Sequence, residues 1–126
     1  GLDVVKELYQ PVAQVSFQEG YETICKLIKS KVPFDGICCY TDSLACGALS
    51  ALAEAGISVP DQVQVTGFDD ISMAKWAVPP VTTIAQPVKE MGRLAAELIF
   101  KMSKGEDIEQ KQYTLPVELI KRKSTK

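Results

Sequence analysis

Ile37-Cys38-Cys39-Tyr40-Thr41-Asp42-Ser43-Leu44-Ala45-Cys46-Gly47 decides the fold, because an apolar run passes directly into a capped helix. The first four residues read as a buried strand. Asp42 is a candidate N-cap, and Gly56 closes a helix over Ser43 to Ala55, within the usual helix length of about 8–20 residues. A second strand, Val63 to Thr66, then runs into Gly67-Phe68-Asp69-Asp70. A strand–helix–strand unit of this kind implies parallel strands joined by a right-handed crossover. Ligands of open parallel sheets bind beyond the carboxyl ends of the strands, and here those ends carry Thr41-Asp42 and Asp69-Asp70. Neighbouring strands lie only about 5 Å apart, so one small polar ligand is able to touch both.

Working outward towards the N-terminus, Leu2, Val5 and Leu8 fall at helical spacing and Pro11 ends that helix. Val12-Ala13-Gln14-Val15 reads as a short strand. Ser16 and Glu19 fit a capping box opening a helix to about Ser30, with Tyr21, Ile24, Leu27 and Ile28 inward. The Ser43–Ala55 helix is rich in small residues, which permits close approach of another element, either in the core or across a subunit interface.

Towards the C-terminus, Ile71 to Val78 is expected as a loop or short irregular helix exposing Met73 and Trp76, a contact surface. Val81 to Ala85 is a β-branched strand. Pro87 suits the first position of a helix with an apolar stripe of Val88, Met91, Leu94, Ala95, Leu98 and Met102, an outer Glu97–Lys101 pair and a stop at Gly105. After a polar turn from Glu106 to Lys111, Tyr113 to Ile120 reads as a strand that Pro116 confines to a sheet edge, and Lys121 to Lys126 as a solvated basic tail.

The bulk composition excludes several function classes. With 126 residues, 46% of them hydrophobic, the chain supports one modest core. A net charge of −2 gives no electrostatic footprint for nucleic acid. No apolar run reaches the roughly 20 residues of a membrane span and no signal peptide is evident, so a cytoplasmic location is expected, with no membrane partner. There is no histidine and no Cys-x-x-Cys, which argues against a metal site and against imidazole catalysis. No cofactor is expected. The four cysteines read as buried free thiols. Asp69 and Asp70 are the one candidate carboxylate pair for an enzyme, but neighbours on a turn rarely face one substrate, and the chain reads as non-enzymatic.

Thr41-Asp42 with Leu44-Ala45-Cys46-Gly47-Ala48-Leu49, then Gly56-Ile57-Ser58-Val59-Pro60, Val65 to Asp70, Pro80-Val81-Thr82-Thr83-Ile84, and Leu115-Pro116 to Lys121-Arg122-Lys123-Ser124 stand in the order and spacing of a known family. The chain resembles the effector-binding domain of LacI/GalR bacterial transcription regulators, which is similar to type I periplasmic sugar-binding proteins. The resemblance implies a partial α/β domain, a parallel sheet flanked by helices on both faces. Residues 1–86 would form mainly the C-terminal lobe, 87–115 return to the N-terminal lobe, and 116–126 supply the final strand and tail, with the DNA-binding headpiece absent.

It further implies that Thr41, Asp69 and Gln86 contact a small-molecule effector, a sugar or sugar derivative held between two lobes. Sugar-responsive relatives often carry asparagine where Thr41 stands and an aromatic near Val15. Phe17, two positions on, is the alternative ring. The structural readings beside these are that Asp69 caps its turn and Thr41 caps the following helix. A homodimer is implied through the helices at Gly20–Ser30 and Ser43–Ala55 and the Met73/Trp76 loop, with Tyr21, Leu44, Ala48 and Ala51 as interface candidates, and DNA is reached only through the headpiece. Two alternatives share the fold. One is a catabolite-control regulator answering to a serine-phosphorylated phosphocarrier protein, although Glu97 stands where that branch has a basic residue. The other is a transport-type sugar-binding protein.

Overall fold

The computed structural model describes residues 5–108 and 112–126. The start of the expected opening helix, Gly1–Val4, and Glu109–Lys111 of the polar turn lie outside the described residues.

Helix α1 (Phe17–Ser30) starts where the Ser16 hydroxyl accepts the Glu19 amide at 3.1 Å. Half of the capping box therefore forms, while the Glu19 carboxylate accepts from the Ala13 amide at 3.3 Å instead of closing back on Ser16. Strand β1 (Gly36–Cys38) leads into α2 (Asp42–Glu54), and β2 (Gln64–Thr66) pairs with β1 in parallel, Ile37 beside Val65. The short helix α3 (Ser72–Trp76) precedes β3 (Thr83–Ala85), the long helix α4 (Val88–Ser103) follows, and β4 (Glu118–Ile120) returns antiparallel to β3. Parallel bridges Thr66–Thr82 and Asp69–Ala85 join the two strand pairs, giving the spatial order β1-β2-β3-β4. This is the α/β architecture with a parallel sheet that the strand–helix–strand reading requires.

The core is built around α2. Ala45, Ala48, Ala51 and Leu52 are at most 1% exposed, and Val65, Val81 and Ala74 close over them from β2, the start of the β3 segment and α3. The small residues of α2 serve its contact with α1. A Cβ on Gly20 would sit 2.3 Å from the Leu44 carbonyl oxygen, and one on Gly47 only 2.1 Å from that of Phe17, so the two backbones touch at both glycines. Leu44, Ala48 and Ala51, candidates for a subunit interface, are thereby covered inside this chain.

Several local expectations change. Val12–Val15 forms no strand, because a strand exists by pairing and no described strand lies beside it. Of the opening helix, the described part is a single 3-10 turn, Lys6–Leu8. Thr41, not Asp42, caps α2, and Pro87 is the cap of α4 rather than its first residue. The outer pair on α4 is Arg93 with Glu90 and Glu97 instead of Glu97 with Lys101. Only the last three residues of the expected Tyr113–Ile120 strand pair, Pro116 having no N–H to give.

The basic tail is the largest correction. Ser124 is fully buried, donating to the Val65 carbonyl at 2.6 Å and accepting from the Thr82 amide at 2.8 Å, while its backbone N–H reaches the Pro80 carbonyl. The tail is a strap sewn between the β2 and β3 segments.

Candidate functional site

Because β1, β2 and the β3 segment run the same way, their carboxyl ends open on one side of the sheet. There β1 continues into Tyr40-Thr41, β2 into Phe68-Asp69, and β3 into Gln86, and these residues line a cavity of about 790 Å3, a size typical of small-molecule sites. Three residues named from sequence, Thr41, Asp69 and Gln86, thus meet in one cleft. The Gln86 Nε2 donates to Asp69 Oδ1 at 2.6 Å, leaving Asp69 Oδ2 without a protein donor among the described residues. The Thr41 hydroxyl accepts from the Leu44 amide at 3.5 Å as the cap, a long contact that leaves its own proton free to donate. Capping and ligand contact are therefore compatible at Thr41.

The turn holding Asp69 is unusual. Asp69 and Asp70 take φ of 104° and 53°, the left-handed region that side chains other than glycine rarely adopt. Such backbone clusters at ligand clamps. The Asp69 N–H donates to the Ile84 carbonyl at 2.9 Å, and Asp70 Oδ1 accepts from Arg122 Nη2 at 2.5 Å. Asp69 and Asp70 therefore engage different partners, Gln86 and Arg122.

Asp42 lies behind the cleft, fully buried. Its carboxylate accepts from Thr83 Oγ1 at 2.6 Å and from the Ile71 amide at 2.9 Å, linking α2 to β3 and to the far end of the Asp69 turn. Burial raises its pKa above the usual carboxylate value, the two hydrogen bonds oppose that shift, and the charges of Asp69 and Asp70 add to it. A Cβ on Gly67 would lie 2.2 Å from Asp42 Oδ1, so a glycine there is what lets the carboxylate fit.

Phe17 and Val15 do not line this cleft. Phe17 lies in a separate groove with Cys46, Leu49, Met73, Trp76 and Val78, while Val15 is exposed. Met73, Trp76 and Val78 are 48%, 76% and 88% exposed, and Phe17 42%, so they form one apolar patch. Tyr21 is half-buried, its hydroxyl donating to Glu54 across the α1–α2 seam. Sequence reasoning missed Arg122, Ser124 and Asp42 as supports of the site. Their basic, polar and acidic characters suggested solvent or a cap, and only long-range partners reveal the role. Among the described residues no cluster fit to hold a metal ion occurs, and no helix is long and apolar enough to cross a membrane.

Residues 1–125 match the model of the periplasmic binding protein-like domain. The transcriptional regulator DegA of Bacillus subtilis is 38% identical over 110 residues, 87% of this chain and 32% of DegA. The chain thus spans about a third of the length of such curated relatives. A LacI-family regulator structure from Sanguibacter keddieii superposes with a TM-score of 0.90 at 30% identity, over 98% of this chain and 46% of that one. The structure of the transcriptional regulator CelR in complex with cellobiose gives 0.81 at 31% identity, over 86% of this chain and 33% of CelR. The chain belongs to the periplasmic binding protein-like family and corresponds to part of the effector-binding domain of LacI-type transcription regulators.

Proposed function

We propose that this chain is the ligand-sensing and dimerising part of a LacI-type regulator that takes a sugar or sugar derivative between two lobes and so controls DNA binding by a headpiece elsewhere in its parent polypeptide. The observation that carries the reading is the cleft in which Asp69, Gln86 and Thr41 converge. A carboxylate with a free oxygen accepts from vicinal hydroxyls, an amide donates and accepts, and a threonine hydroxyl donates, which is the polar complement of a polyol ring. The structural likeness to CelR bound to cellobiose supports this ligand class.

Two further observations fit. Helix α4 has no buried residue and exposes Val88, Ile99, Phe100 and Met102, the surface expected if residues 87–115 pack in the other lobe. The Phe17, Met73, Trp76 and Val78 patch offers the dimer surface. Ligand shifts the regulator between two states only by its differential affinity for them, so the lobes must grip it differently in each.

The test is a thermal melt of the full-length protein against glucose, cellobiose, sugar phosphates and the serine-phosphorylated phosphocarrier protein. A native-state ligand at a hundred times its Kd adds about 2.7 kcal/mol. A sugar-dependent shift that vanishes in Asp69→Ala is expected. A shift with the phosphocarrier alone, or none with any sugar, sinks the sugar-sensing reading.

A further inference from the structure

We infer that Arg122 is a positioning residue for the Asp69 carboxylate, locking the Asp69–Asp70 turn to the C-terminal strap. This rests on the reading of Asp69 as an effector-binding group. The turn is fixed at both flanks by backbone: the Asp69 N–H donates to the Ile84 carbonyl at 2.9 Å, and the Ile71 N–H to the Asp42 carboxylate at 2.9 Å. Between them Asp70 sits at φ 53°, a conformation its Cβ disfavours, and its carboxylate is held by Arg122 Nη2 at 2.5 Å. The pair has side-chain exposures of 16% and 29%, against 55% and 45% for the surface pair Arg93–Glu90, so water screens it less.

Arg122 is itself anchored. Its Nη1 donates to the Val81 carbonyl at 3.0 Å and its backbone N–H to Thr82 Oγ1 at 2.9 Å. The planar fork reaches a carbonyl of one segment and a carboxylate of another at once, which a lysine ammonium on a flexible stem does not reproduce. The same strand also places the second cleft residue. Two residues before Arg122, β4 ends, and Glu118 of β4 is registered with Ala85, the neighbour of Gln86. One C-terminal segment thus braces the turn that carries Asp69 and pairs with the strand that leads into Gln86.

Hydrogen exchange of the full-length, ligand-free protein tests this, with Arg122→Lys and Arg122→Met as the two variants. If Arg122 positions the turn, the amides of Asp69 and Ile71 exchange at least tenfold faster in each variant, while those of Leu49 to Leu52 in α2 keep their wild-type rate. Unchanged exchange in the turn in both variants overturns the inference. So does acceleration of turn and α2 together, the signature of a merely structural loss. No ligand is needed, so a failed sugar panel leaves this result standing, and failure here leaves the Asp69→Ala melt to decide the sugar reading on its own.

Discussion

Replacing Asp42 by alanine removes a buried acceptor on which two elements depend. Its oxygens receive the Thr83 hydroxyl at 2.6 Å and the Ile71 N–H at 2.9 Å, and the side chain is fully buried. Each donor left without a partner costs about 1–3 kcal/mol, the hydroxyl less because it rotates, so Asp42→Ala should lose about 3 kcal/mol. Against that stands a gain from no longer burying a charge. Asp42→Asn separates the two contributions, since its amide oxygen keeps one acceptor and its charge is gone, and a loss of about 1 kcal/mol is expected.

The pH dependence gives an independent sign. Because burial raises the folded-state pKa of Asp42, the native state holds its proton more tightly than the unfolded chain. The stability this contributes is complete below the unfolded carboxyl value of about 3.9 and is lost as pH rises through the folded value. The stability of wild type relative to Asp42→Asn should therefore fall as pH climbs from about 4, with no such slope for the variant at this site. Urea unfolding followed by circular dichroism across that range reads both quantities. If Asp42→Ala stays within about 0.5 kcal/mol of wild type at neutral pH, the carboxylate does not hold the turn and β3 together and the reasoning fails.

Gly47→Ala should cost about 3 kcal/mol or prevent folding, because its Cβ would meet the Phe17 carbonyl at 2.1 Å, whereas Gly36→Ala, where a Cβ meets nothing within 4 Å, should stay within about 0.5 kcal/mol of wild type; equal effects in denaturation would refute the seam. Burial pushes the Cys39 thiol up to about 12, so at pH 8 only about one part in ten thousand is thiolate, and iodoacetamide labelling read by mass spectrometry should find it at least about a hundredfold slower than the exposed Cys38. Trp76→Asp places a charge in the exposed apolar patch and should convert a dimeric full-length protein to monomer in sedimentation; an unchanged dimer would remove that patch from the interface.

The strand–helix–strand unit was legible because its determinants are local: an apolar run, a hydroxyl or carboxylate at the helix start, a helix of small residues and a glycine after it. The choice between the two cap candidates is informative. Thr41 and Asp42 both suit the position, and the choice falls to Thr41 because Asp42 is drawn inward by Thr83 and Ile71, partners 41 and 29 residues away. The small residues of α2 left two readings open, and the backbone contacts at Gly20 and Gly47 assign Leu44, Ala48 and Ala51 to this chain's own core. That Asp69 and Gln86 meet was implied by family resemblance; nothing in their spacing gives the parallel bridge from Asp69 to Ala85 that sets them side by side.

The C-terminal strap was misread for a physical reason. Lys121, Arg122, Lys123 and Lys126 make it look like a tail that solvent would keep, and hydropathy sees only the residue, not the orphan it completes. Ser124 is buried because the Val65 carbonyl and the Thr82 N–H, 59 and 42 residues away, face each other with a gap that one hydroxyl fills as donor and acceptor together. An unfilled gap would leave two buried backbone groups unpaired, which native structures almost never permit. Arg122 follows the same logic with charge. Its guanidinium is held by a carbonyl and a carboxylate that no local window contains. Polar residues that close a sheet and hold the Asp69–Asp70 turn are chosen by what the rest of the chain leaves unsatisfied, so they become readable only once the β2–β3 parallel pairing is known.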